Sequence, residues 1–185
     1  MDTNMEKPWD IIRSEQGPNL ILFQARYDWV TNPRNAKSMK ALVLEAADWV
    51  NIVAITPEKN IVIVNQYRFG IGRRTMEIPA GILNRGETPE QAAKRELREE
   101  TGYTGMGWKY LGWVETNPAF LNNLCHSWLA LDVVKTSSTQ LDEGEEISVT
   151  ELSLEEVRAA IAKGRMRNSL SLLALSRVFD LRTME

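Results

Sequence analysis

Two neighbouring stretches, WVNIVAI (49–55) and IVIVNQY (61–67), are apolar and β-rich at nearly every position. They predict a pair of strands, and the Pro-containing TPEKN between them predicts a hairpin. Upstream, LILFQARYDWV (20–30) alternates: Ile21, Phe23, Ala25, Tyr27 and Trp29 share one parity, while Gln24, Arg26 and Asp28 share the other. A strand with one wet face is expected there, and another in KALVLEA (40–46). Beyond the hairpin, TMEIPAGILNRGE (75–87) reads as a short strand and a Gly-bounded loop, and further strands are expected at 108–115 and 124–134.

Helix punctuation is sharper than strand punctuation. Thr88 suits an N-cap, Pro89 the first helical position, and Gln91, three residues after Thr88, completes a capping box. Gly102 stops that helix after Thr101. A polar, acidic loop, KTSSTQLDEGEE (135–146), precedes a strand in ISVTELS. Ser153 then caps a helix through about Lys163, and a last helix is expected from about Asn168 to Leu181. Mixed strands with few, separated helices predict an α+β fold in layers, with residues 1–45 as a small β extension and 46–185 as the main domain.

Composition and charge remove several function classes. A formal net charge of −3 supplies no basic field for nucleic acid, and no apolar run approaches the roughly 20 residues that span a bilayer. The N-terminus lacks the apolar core of a signal peptide, and Cys125 stands alone, so a cytoplasmic protein is expected. Cys125 itself is expected to be buried and inert. A phosphate ligand would need something other than bulk protein charge to neutralise it.

The helix from Pro89 supplies a candidate. Glu96, Glu99 and Glu100 lie at i, i+3 and i+4 and so converge, with Arg95 and Arg98 offsetting only part of their repulsion. Ala93 and Leu97 form an apolar stripe that would dock on a sheet, which puts Glu96 and Glu100 at the helix–sheet seam. Convergent carboxylates at a seam suit a hard divalent cation, which takes oxygen ligands and shares itself with substrate phosphates.

The spacing is more specific than the cluster. Five residues separate Gly81 from Glu87, and seven more lead to Arg95-Glu96-Leu97, followed by Glu99-Glu100 and Gly102-Tyr103. This resembles the Nudix box, the signature of the Nudix hydrolases, with Tyr103 replacing the usual small aliphatic. The resemblance implies an α/β/α sandwich around a mixed β-sheet, with an N-terminal antiparallel sheet added. It implies Mg²⁺ (Mn²⁺ as substitute) on Glu96 and Glu100, with Glu99 supporting and the Ala80 carbonyl as a further ligand. Arg95 would orient Glu87 and the glutamates. The implied reaction is water attack on a diphosphate linkage.

VNQYRFG before the box, MEIPAG leading into it, and Pro118 fifteen residues after Tyr103 are similar to the ADP-ribose and nucleoside diphosphate sugar pyrophosphatase branch. From that similarity Arg68 is expected on the substrate diphosphate. Glu77 is expected either at a second metal or as a buttress. Glu143 is expected to be the base, with Glu145 as metal or supporting ligand and Glu146 in reserve. Trp29 and Trp49 are expected against the nucleobase, and the N-terminal sheet in a homodimer. Arg73 and Arg74 read as solvated, and His126 as a core or seam residue. Two alternatives stand beside ADP-ribose. One is another Nudix substrate, such as GDP-mannose, a dinucleoside polyphosphate or a damaged nucleoside triphosphate; the other is a non-catalytic nucleotide sensor.

Overall fold

The computed structural model describes residues 8–182. Residues 1–7, part of the N-terminus read above for a leader pattern and of the 1–45 extension, lie outside the described residues. The chain divides into two compact units, residues 1–46 with 115–123, and residues 47–114 with 124–185.

The first unit is a three-stranded antiparallel sheet in the order β1 (Asp10–Asn19), β2 (Gln24–Thr31), β3 (Ser38–Glu45). β1 has no alternation to announce it, and Gly17 and Pro18 interrupt its end. Gly17 is required by packing: a Cβ there would lie 2.8 Å from the Tyr27 ring. The strand expected at 20–30 begins only at Gln24, because Ile21 takes φ 71 in the connecting turn and is 95% exposed. The wet face is also corrected at Asp28, which is buried. Ser14 Oγ donates to its Oδ1 at 2.7 Å and Arg26 Nε at 3.0 Å, so its charge is compensated. Residues 115–123 join this unit through the Leu44 N–H, which donates to the Phe120 carbonyl at 2.7 Å.

The second unit is built on a seven-stranded mixed sheet. Its elements in chain order are β4 (Trp49–Ile55), β5 (Ile61–Arg68), β6 (Arg73–Glu77), β7 (Ala80–Ile82), α1 (Pro89–Thr101), β8 (Tyr103–Thr104), β9 (Gly107–Glu115), β10 (Leu124–Leu131), β11 (Val134–Lys135), β12 (Ile147–Leu152), α2 (Leu154–Ala162) and α3 (Ser169–Ser176). The main path runs β12-β5-β4-β10-β9, with β10 parallel to β4. The predicted hairpin forms, yet its strands pair only at Ile55–Ile61. Beyond that point it forks, and β6 pairs with β5 while β7 pairs with β4. The fork brings Glu77 and Ala80 into the middle of the sheet.

Both faces of this sheet are covered, which is why β4 and β5 read as continuous apolar runs. Val50, Ile52, Ala54 and Val62 pack with Ala92, Ala93 and Leu97 of α1. The alternate residues Val53, Ile55, Ile61 and Ile63 pack with Val157 and Ala160 of α2 and with Ala174 and Leu175 of α3. Two predicted boundaries move. The strand expected to reach Val134 breaks at Asp132, which has φ 51, and the chain resumes in β11 against β8. α3 ends at Ser176 rather than near Leu181. Among the described residues no helix is long and apolar enough to cross a membrane.

Candidate active site

α1 is fixed at both ends as its sequence predicts. Thr88 and Gln91 exchange both capping-box hydrogen bonds, and Gly102, at φ 77, donates its N–H to the Arg98 carbonyl. Ala93 and Leu97 are fully buried, and burying Leu97 contributes roughly 2 kcal/mol to docking. Their burial sets the rotation of the helix, so Glu96 and Glu100 face the seam and Glu99 lies further out.

Glu100 is only 3% exposed, and its Oε2 accepts the Ala80 N–H at 2.9 Å. Burial pushes its carboxyl up to about 8; the Ala80 bond opposes this, and the neighbouring Glu96 and Glu145 charges add to it. Glu96 is raised as well, first by burial, despite Arg95 beside it. Glu96 lies directly over Gly81: a Cβ on that glycine would stand 2.0 Å from the Glu96 carboxyl carbon. Only a bare backbone leaves room for the carboxylate.

Arg95 organises the other side of the cluster. It grips Glu87 through Nε and Nη2, each at 2.9 Å, and reaches the Ile82 carbonyl at 2.9 Å. Its Nη1 donates to Glu96 at 2.7 Å and to Glu99 at 3.0 Å. Glu87 is held below the usual carboxylate range, mainly by Arg95. Among the described residues no three His, Cys, Asp or Glu side chains stand together at cation-ligating geometry. The donor set nevertheless fits a hard divalent cation. It is all oxygen, buried Glu100 and half-buried Glu96 are both raised, and Gly81 leaves a cradle that a Cβ would fill.

Arg68 and Glu77 meet across β5 and β6, Nε to Oε1 at 3.0 Å and Nη2 to Oε2 at 2.7 Å. Glu77 is buried and also accepts the Thr75 hydroxyl, so it orients the Arg68 guanidinium, whose other edge remains open. Arg68 lies within electrostatic reach of Glu77, Glu100 and Glu145. The 142–146 segment is divided in its allegiance. Glu145 acts on the α1 carboxylates, while Glu146 pairs with Arg74. Glu143 is exposed, and no hydrogen bond or ion pair ties it to the site among the described residues.

Trp29 lies in the three-stranded unit with the Arg13 guanidinium 3.4 Å over its ring. Trp49 alternates with Val50 and so shares the sheet face of Asn51 and Val53, opposite α1. Pro118 occupies an exposed turn. His126 lies between the Tyr110 hydroxyl at 2.8 Å and the Asp48 carboxylate at 3.3 Å. Cys125 is buried, and burial pushes its thiol up to about 12. Sequence reasoning missed the polar link from Asp48 through His126 to Tyr110, since three residues on separate segments carry no spacing signal.

A NUDIX domain model matches residues 47–173. A methanol dehydrogenase activator of Bacillus methanolicus is 35% identical over 165 residues, 89% of each chain. An ADP-ribose pyrophosphatase of Bacillus subtilis is 38% identical over 123 residues, 66% of each chain. The crystal structure of an ADP compounds hydrolase superposes with a TM-score of 0.81 at 20% identity, covering 93% of this chain and 92% of that one, a likeness of fold.

Proposed function

The chain belongs to the Nudix family, as a pyrophosphohydrolase of the ADP-ribose pyrophosphatase branch, and from that premise we propose that it cleaves ADP-ribose into AMP and ribose 5-phosphate with Mg²⁺. The observation that carries this reading is the carboxylate pair at the helix–sheet seam, half-buried Glu96, which Arg95 compensates only in part, and buried Glu100, which Arg95 does not contact. Glu96 and Glu100 hold the cation, with Glu99, Glu145 and the Ala80 carbonyl in support. A bound Mg²⁺ would position the attacking water, lower its pKa and absorb charge on the phosphoryl oxygens.

The chain's own groups do the rest. Arg68, oriented by Glu77, offers its open edge to the substrate diphosphate, where a fixed fork suits phosphate oxygens. The base is a carboxylate of the 142–146 segment, Glu143 first, with Glu145 the member already in electrostatic contact with α1. Residues 1–45 form a dimerisation and substrate-contact extension of a cytoplasmic homodimer. Exposed Ile11, Ile12, Met39 and Leu42 in the three-stranded sheet support that assignment, as apolar groups that a partner would cover. Trp29 and Trp49 remain the aromatic groups proposed for the nucleobase.

A substrate panel with Mg²⁺, read as phosphate release after phosphatase coupling, tests the proposal. ADP-ribose should be cleaved best among nucleoside diphosphate sugars, GDP-mannose, dinucleoside polyphosphates and nucleoside triphosphates. Preference for a triphosphate over every sugar diphosphate would remove the reading. Similarity to an activator protein supports a second one, action on a partner enzyme, which cleavage of nothing in the panel would favour.

A further inference from the structure

Arg73, Arg74, Arg165 and Arg167 surround a cavity of about 320 Å³, which also takes in Asn65 and Gly164. It opens on the sheet face of Met76 and Ile78, the one covered by α2 and α3, whereas the carboxylates of α1 belong to the opposite face. Only Arg74 among the four has an acidic partner in the described residues, Glu146. Acidic residues outnumber basic ones in this chain, 25 to 22, so the shortage of counter-charge is local. Guanidinium groups facing one cavity repel, and an anion between them would relieve that.

The cluster is built into the backbone. Gly164 has φ 63, and a Cβ on it would stand 2.6 Å from the Arg167 Nη2, so the guanidinium lies against bare main chain. Buried Met166, between the two loop arginines, anchors the segment, and the Arg165 and Met166 N–H groups both donate to the Ala160 carbonyl. The Asn65 amide has no hydrogen-bond partner among the described residues and adds neutral donors to the same cavity.

We propose that this pocket binds a small metabolite bearing phosphate monoester groups, in competition with Glu146 for Arg74. Planar guanidinium forks match phosphate oxygens in pairs, and a phosphate monoester brings up to two charges where a carboxylate brings one. The cavity is small, and among the described residues no aromatic side chain lines it, so nothing there selects a nucleobase. That separates its ligand from a nucleotide substrate. Competition has a consequence for the other face. Glu146 is adjacent to Glu145, which acts electrostatically on Glu96 and Glu100, so a ligand that takes Arg74 releases one tether of that acidic segment.

The proposal stands apart from the hydrolase reading and is tested without it. Fructose 1,6-bisphosphate, which has no diphosphate linkage, is titrated into the full chain by calorimetry in EDTA at low salt. Saturable one-to-one binding is expected with a Kd below about 1 mM. The double variant Arg165→Gln/Arg167→Gln should weaken it by at least about tenfold. Glu146→Gln should tighten it about threefold by freeing Arg74, and Glu100→Gln should leave it unchanged. Absence of saturation, equal affinity in the double variant, or loss of binding in Glu100→Gln would each overturn the assignment.

Discussion

Arg26 in the three-stranded sheet and Arg95 on α1 each gather carboxylates around one guanidinium. Arg26 takes Asp28 and Glu45, and the Ser14 hydroxyl completes Asp28. There the balance closes: hydrogen bonds from Arg26 and Ser14 hold Asp28 below its usual range although it is buried. Arg95 takes Glu87, Glu96 and Glu99; Glu87 ends below its usual range, while Glu96 is raised. Glu100, which Arg95 does not contact, is pushed up to about 8. A closed cluster costs nothing further and serves the fold. A cluster one cation short is strained in isolation, and that deficit is what a divalent ion would fill.

The sharpest way to break the comparison is to neutralise the excess charge. Glu96→Gln and Glu100→Gln should each lower kcat by about three orders of magnitude in steady-state assays. For Glu100 the stability effect runs the other way. Its folded pKa lies above the unfolded value, so the metal-free protein loses stability as pH rises from the ordinary carboxylate range through about 8. Thermal melts in EDTA should therefore show Glu100→Gln more stable than the parent at pH 9 and equal to it at pH 4. A variant less stable at both values would mean that Glu100 is as well compensated as Asp28. Gly81→Ala should act more weakly. The new Cβ would stand 2.0 Å from the Glu96 carboxyl carbon and displace it, costing about a hundredfold in kcat with far-UV circular dichroism unchanged.

How much of this was legible in the sequence follows from how far apart the partners lie in the chain. Glu96, Glu99 and Glu100 converge by helical geometry alone, and Ala93 and Leu97 fix which way they face, so the cluster could be read directly. The Arg26 cluster could not, because Ser14, Asp28 and Glu45 meet only through cross-strand register, and alternation alone put Asp28 on the wet side. In the sequence Gly81 only bounds a loop, whereas its reason is a carboxylate from α1 seated over it. Glu77 and Arg68 meet because the hairpin forks and admits β6 beside β5, which no local pattern announces. β1 escaped notice because it packs no alternating face.

On the closed side of the comparison the expected effects are on stability. Asp28→Asn leaves Arg26 and Ser14 short of an acceptor and should cost about 1–3 kcal/mol, read in denaturant titrations at pH 7. Asp28 has a lowered folded pKa, so its contribution is present above the unfolded value of roughly 3.9 and is lost as pH falls through the folded one. Parent and variant should therefore converge in acid. A constant gap down to pH 2 would show that packing, not charge, carries the difference.

The smallest effect should come from the other arginine on this sheet, and it shows how much of the sheet's stability the Arg26 cluster carries. Among the described residues Arg13 pairs only with exposed Glu15, and its guanidinium lies 3.4 Å over the Trp29 ring. An exposed ion pair adds little, so the stack is the main term, about 0.5–1 kcal/mol. Lys40, with Nζ 4.9 Å from the same ring, should replace part of it. Arg13→Ala should thus cost less than Asp28→Asn, and a double-mutant cycle with Trp29→Leu isolates the coupling. A coupling above that of Asp28 with Arg26 would move the sheet's main electrostatic support from its carboxylate cluster to its aromatic face.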